Sequence, residues 1–128
     1  MISSLDHLVL TVKSIDRTIE FYTTTLGMKK ESFGNGRVAL KFGAQKINLH
    51  QLGQEFEPKA ALPTPGSADI CLITELPIEQ ALKQVQSRGG VVLNGIVPRT
   101  GAAGPIQSFY LRDPDQNLIE VSSYSGAQ

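Results

Sequence analysis

The strongest constraint on this chain is that it repeats itself. Leu5-Asp6-His7-Leu8-Val9-Leu10-Thr11-Val12 is rich in aliphatic and β-branched side chains and reads as a strand. A helical stripe follows, with Ile15, Ile19, Tyr22 and Leu26 at spacings of four, three and four. Ser14 or Asp16 is placed to cap its start, and Gly27 to end it. Sixty-two residues further on, Ser67-Ala68-Asp69-Ile70-Cys71-Leu72-Ile73-Thr74 repeats the strand, and Gly89 repeats Gly27. Between them Pro77 suits the first turn of a second helix, whose apolar face is Ile78, Ala81 or Leu82, and Val85. A repeat of this size dictates architecture, because each unit must bury the same apolar face in the same way.

More strands follow each strand–helix unit. Arg37–Phe42 and Lys46–His50 flank Gly43-Ala44-Gln45, and Ser108–Arg112 and Leu118–Ser122 flank Asp113-Pro114-Asp115-Gln116-Asn117. Short strands at Lys29–Phe33 and Val91–Leu93 complete the pattern. The expected fold class is α+β: two βαβββ modules forming a curved, cup-like mixed sheet, with a helix covering each module. The expected layout is a single domain, 1–128, with module 1 at about 1–52, a proline-bearing linker at about 53–66 and module 2 at about 67–126. The stretch Val97–Pro105, with Pro98, Gly101, Gly104 and Pro105, reads as a surface loop and as the mobile element over a site.

Composition narrows the partners. Twelve Lys+Arg balance 12 Asp+Glu, and no basic run stands out, so the electrostatic footprint of a nucleic-acid binder is missing. With Cys71 alone no disulfide can form within the chain, which fits a reducing compartment. No apolar stretch approaches the ~20 residues of a membrane-crossing helix. Met1–Asp6 has neither the basic nor the apolar region of a secretory leader. A cytoplasmic protein is expected, with a small-molecule substrate and no nucleic-acid or membrane partner. Strand edges left open by two separate modules point to a homodimer.

The informative residues are polar ones embedded in apolar strands. His7 shares a strand face with Leu5, Val9 and Thr11, and Asp69 holds the matching place in the second module. Glu120 interrupts Leu118-Ile119-Glu120-Val121, its counterpart in the first module is Asn48, and His50 points to the same face as Asn48. Imidazole plus carboxylate is a mixed N/O donor set suited to Zn, Mn, Fe(II) or Ni. Each residue also has a plainer reading: His7 as a hydrogen-bonded rim residue, Asp69 as a cap on its strand, Glu120 as a solvent-facing carboxylate. Cys71, in Ile70-Cys71-Leu72 without a flanking base, reads as a buried, inert thiol. Tyr110 and Arg112 alternate with Ser108 on one strand face, as a pocket wall and anion contact or as an exposed face.

Four segments together carry a resemblance: Leu5-Asp6-His7-Leu8-Val9-Leu10, Phe21-Tyr22 with Leu26-Gly27-Met28, Asp113-Pro114-Asp115, and Leu118-Ile119-Glu120-Val121. The chain resembles the vicinal oxygen chelate superfamily, also called the glyoxalase/bleomycin resistance/extradiol dioxygenase family. Lys46–His50, Phe56–Ala61, Asp69–Thr74 and Val97–Ala102 look more closely like the glyoxalase domain-containing protein 5 subgroup. The resemblance implies paired βαβββ modules, commonly a homodimer, and one divalent ion (Ni, Zn, Mn or Fe) held from the first and last strands of each module. Those positions here are His7, Asn48, Asp69 and Glu120, with His50 able to replace Asn48 as a ligand. Asp69 departs from the family's frequent histidine and Asn48 from its frequent glutamate.

The implied activity is lyase or isomerase chemistry on a small substrate with adjacent oxygens, such as a hemithioacetal. Glu120 is then both ligand and general base, and Asn48, Arg99, Tyr110 and Arg112 contact the substrate, with Arg99 closing over an anionic group. The alternative is a metal-free drug-binding protein of the bleomycin-resistance type.

Overall fold

The computed structural model describes residues 1–124 and divides the chain into two compact units, Met1–Ser67 and the unit beginning at Ala68. The first contains β1 (His7–Val12), α1 (Ile15–Glu20), β2 (Lys29–Phe33), β3 (Arg37–Phe42) and β4 (Gln45–Gln51). Its sheet runs in the order β1-β4-β3-β2, with β1 parallel to β4 and the other pairs antiparallel. The second contains β5 (Asp69–Ile73), α2 (Ile78–Ser87), β6 (Val97–Gly101), β7 (Gly104–Arg112) and β8 (Leu118–Ser123). Its order, β5-β8-β7-β6 with β5 parallel to β8, repeats the first topology strand for strand. The α+β class and the two βαβββ modules are therefore as expected.

Local chemistry explains where the helices begin, bend and stop. Ser14, not Asp16, caps α1, its Oγ accepting from the Arg17 N–H at 3.2 Å. The regular helix lasts six residues and then widens into a π-type turn over Phe21–Thr25. Threonine hydroxyls compete for its carbonyls: Thr18 Oγ1 donates to Ser14 O at 2.8 Å and Thr23 Oγ1 to Ile19 O at 2.7 Å. Along the helical segment Thr18, Tyr22 and Thr25 are buried while Ile15, Ile19 and Leu26 are only half-buried. Gly27 (φ 76°) and Gly89 (φ 89°) end the two helical segments in the left-handed conformation. After α2 the Gly90 N–H returns to Val85 O at 2.9 Å and the Gly89 N–H to Gln86 O at 3.1 Å.

Strand alternation gives each sheet one face to its helix. In the first unit Leu10, Val12, Leu40, Ile47 and Leu49 are buried beneath α1 with Tyr22 and Met28. In the second, Phe109, Leu111, Ile119 and Val121 meet Ile78, Ala81 and Val85 of α2. The opposite face of each sheet carries the polar strand residues.

Two expectations need correction. Val91–Leu93 is not a strand: Val92 makes a single bridge to Leu111, and the Leu93 N–H reaches Tyr110 O at 2.8 Å. The strand in that role is β6, so Val97–Pro105 is a tight hairpin rather than a mobile loop. Its prolines mislead because β6 is an edge strand, where a missing N–H costs nothing in pairing, and Pro105 lies before the stretch of β7 that β8 joins. The glycines also have structural reasons. A Cβ on Gly101 would come 2.5 Å from the Tyr124 hydroxyl, which accepts from the Ala103 N–H at 3.0 Å, and Gly104 sits at φ 133°. Among the described residues no helix is long and apolar enough to cross a membrane.

Candidate functional site

The pairing registers set the two pairs of strand residues in the same relation. His7 pairs with Lys46, one diagonal step from Asn48; Asp69 pairs with Leu118, one diagonal step from Glu120. All four side chains lie on the open faces of their own sheets, opposite the helices.

In the second unit the carboxylate of Glu120 is held in place from one side. Its Oε2 accepts from the Ser108 hydroxyl at 2.7 Å and from the Ser122 hydroxyl at 3.3 Å. Both serines are fully buried and lie 2.6 Å apart, so they cannot follow the carboxylate elsewhere. Oε1 has no partner among the described residues. Asp69 is exposed at the head of β5 and makes no side-chain hydrogen bond or ion pair among the described residues, so it does not cap the strand.

Cys71 stands directly across from Glu120 and is exposed, contrary to expectation. The reason is its parity: Ile70 and Leu72 point toward α2, which puts Cys71 on the open face of an edge strand. Partial screening of Sγ from water pushes its pKa up, and the charges of Glu120 and Asp69 add to that, against a contact to Ser122 Oγ at 3.2 Å.

The open face also carries the expected contact residues. Arg99 lies on β6, where its Nε donates to the Tyr110 hydroxyl at 2.9 Å and its guanidinium lies 5.5 Å from the Tyr110 ring centre. A rigid strand, not a closing loop, therefore presents Arg99. Arg112 turns away to the Asp113–Asn117 turn and donates from Nη1 to Gln116 O at 3.1 Å.

The first unit differs in chemistry. His7 is 44% exposed in its side chain, and its Nδ1 donates to the Asp6 carboxylate at 2.8 Å, which orients the ring. Asn48 is 5% exposed, and its Oδ1 is buried without a partner. His50 is also buried, and its Nε2 accepts from Arg37 Nη2 at 3.2 Å, so a divalent ion at that nitrogen would have to displace a cation. Arg37, together with Phe33 and Phe56 around it, was not among the residues expected at the site. Arg37 could have been found from its alternation with Ala39 along β3; Phe56 lies in an irregular segment whose position no periodicity fixes.

Burial lowers the pKa of His50, and the Arg37 charge lowers it further. The unfolded chain thus takes up a proton near pH 6.5 that the folded chain resists. Stability is expected to be intact above about pH 6.5 and to fall as the pH drops below it. Urea titrations between pH 7.5 and 5 check this; His50→Gln should flatten that part of the profile, and an unchanged slope would assign it elsewhere.

Among the described residues no three His, Cys, Asp or Glu side chains converge as a metal cluster, so the donors are judged singly. His7 and Glu120 fit: an imidazole oriented by a carboxylate and a carboxylate oxygen left open are both suitable donors for a divalent ion.

Comparison with known proteins agrees with this architecture. The sequence matches the model of the Glyoxalase/Bleomycin resistance protein/Dioxygenase superfamily over residues 4–121, and the chain belongs to that family. It is 58% identical over 127 residues to the glyoxalase domain-containing protein RDO1 of Mycosarcoma maydis, covering 99% of this chain and 72% of that protein. An integron cassette protein of V. cholerae has the same fold, with a TM-score of 0.95, 60% identity and 97% of each chain covered. A lactoylglutathione lyase from Agrobacterium tumefaciens shares the fold at 19% identity, with a TM-score of 0.74, covering 98% of this chain and 96% of that one.

Proposed function

We propose that this protein is a metal-dependent enzyme of the glyoxalase-like type, a lyase or isomerase acting on a small substrate with adjacent oxygens, such as a hemithioacetal. The supporting observation is the Glu120 carboxylate, fixed at Oε2 by two buried serines and open at Oε1. A divalent ion (Ni, Zn, Mn or Fe), one per chain, would supply polarisation of the two substrate oxygens when bound. His7 in the first unit, and Asp69 and Glu120 in the second, are each proposed as donors to such an ion. Glu120 would be a ligand that leaves the ion to act as general base, its Oε1 taking a proton from a substrate carbon that bears an oxygen and returning it to the neighbouring carbon. Asn48, an amide, has no basicity to do the same, so the chemistry runs through one carboxylate only. Arg99, braced by Tyr110, holds an anionic group of the substrate. The likeness to the glyoxalase domain-containing protein 5 subgroup, a homodimeric assembly and a cytoplasmic setting belong to the same reading.

The test is product formation from a panel of hemithioacetals and α-oxo or α-hydroxy acids, before and after chelation and reloading with each metal. Turnover lost on chelation and restored by one metal is expected. Arg99→Ala should lower kcat/KM by roughly one to two orders of magnitude, the loss of one charge-assisted hydrogen bond. No product from fully metallated protein across the panel would favour a sequestering protein instead.

A further inference from the structure

The first unit holds an unusual cation. The Arg37 guanidinium lies over two aromatic rings, 5.1 Å from the centre of Phe33 and 4.8 Å from that of Phe56. One of its N–H groups is committed to His50, which burial keeps a neutral acceptor, and no carboxylate pairs with it among the described residues. Its Nε is shut off from solvent with no partner. On the same sheet face the Asn48 Oδ1 is also shut off with no donor. A screened guanidinium without an anion and a buried amide oxygen without a donor are both costly. Both costs fall one diagonal step apart, since Asn48 pairs with Ala39, two residues from Arg37 on β3.

One small molecule answers both. We propose that the open face of the first unit binds an α-hydroxy carboxylate, its carboxylate accepting from Arg37 and its hydroxyl donating to Asn48 Oδ1. A single guanidinium offers a planar carboxylate the matching planar fork. Phe56 is the gate. It is 40% exposed, lies against the Arg37 guanidinium and meets His50 edge-on with ring centres 5.7 Å apart. Its segment is tied down at Glu55, whose Oε2 accepts from the Gly53 N–H at 2.8 Å and whose Oε1 lies 3.6 Å from Lys59 Nζ. Admitting the acid requires this ring to swing aside. The site stands on the first unit alone and needs neither a metal nor the reaction proposed above.

Binding of glycolate and of D- and L-lactate to the chelated full chain, measured by calorimetry, tests it, with acetate and inorganic phosphate as comparison anions. The hydroxy acids should bind at least tenfold tighter than acetate and tighter than phosphate. Arg37→Met should weaken them at least tenfold, Arg37→Lys should recover part of that loss, and Asn48→Leu should erase the preference over acetate. Phe56→Ala should leave affinity unchanged or improved while speeding entry. Equal binding of acetate, tighter binding of phosphate, indifference to Arg37→Met in a protein of unchanged circular dichroism, or no binding at all would each overturn the proposal. Because the assay is run without metal, those failures leave the reading of Glu120 standing, and a lack of turnover leaves this site standing.

Discussion

Glu120→Gln is expected to lower kcat/KM by roughly 10²–10⁴-fold, the usual contribution of a positioned general base, while barely moving the unfolding transition. Glutamine keeps the shape of glutamate and can still accept from Ser108 and Ser122, so the two buried hydroxyls stay partnered. What it removes is the negative charge and the proton-accepting oxygen that the serines leave open. Glu120→Ala separates the chemical role from the structural one. It takes away the shared acceptor of both serines, but Ser108 and Ser122 lie 2.6 Å apart and one can then donate to the other, so the loss of stability should be only about 1–2 kcal/mol. A Gln variant with wild-type turnover would place the proton transfer on another group.

The largest expected loss of stability lies at a residue with no chemical role. Asp113→Ala should cost about 3–5 kcal/mol, read from the urea midpoint, because the carboxylate organises the whole turn between β7 and β8. Asp113 is 2% exposed; its Oδ1 accepts from the Asp115 N–H at 2.9 Å and the Asn117 N–H at 3.0 Å, and its Oδ2 accepts from Asn117 Nδ2 at 2.8 Å. Asn117 passes the constraint on, its Oδ1 accepting from the Ala68 N–H at 2.8 Å just before β5. Gln116 meanwhile is held at φ 72°, a conformation this network must sustain. Removing the carboxylate leaves three donors without their acceptor inside the unit, whereas Asp113→Asn keeps some of them and should cost about half as much. A loss under about 1 kcal/mol for Asp113→Ala would mean that the turn is held by its backbone alone.

That turn shows what the sequence made legible. Asp113-Pro114-Asp115 was readable as a family marker, yet its physical meaning, a buried carboxylate closing a turn and fixing a neighbouring strand, required Asn117 and Ala68 in place. The repeat was legible because burial imposes the same periodicities twice: Ile78, Ala81 and Val85 on α2 are the expected face. Tyr22 lies on the expected stripe and is buried, but Thr18 and Thr25 share the buried face with it in place of Ile15, Ile19 and Leu26. Composition misled at Pro98 and Gly101, which signalled a loop; an edge position and the space taken by Tyr124 explain them instead. At the site, strand parity placed His7, Asn48, Asp69 and Glu120 on open faces, but not the partners that decide their chemistry. Arg37 at His50 Nε2 and the paired serines behind Glu120 come from registers between strands, which a single sequence does not encode locally.

The central claim is that His7 and Glu120 are donors to a divalent ion in a working enzyme. Metal content of the protein purified with neither added metal nor chelator tests it most directly. About one divalent ion per chain is expected in the wild type, with His7→Ala and Glu120→Ala each reduced to a small fraction of that in folded protein. Wild-type protein at background metal content, or both variants retaining the full complement, would contradict it.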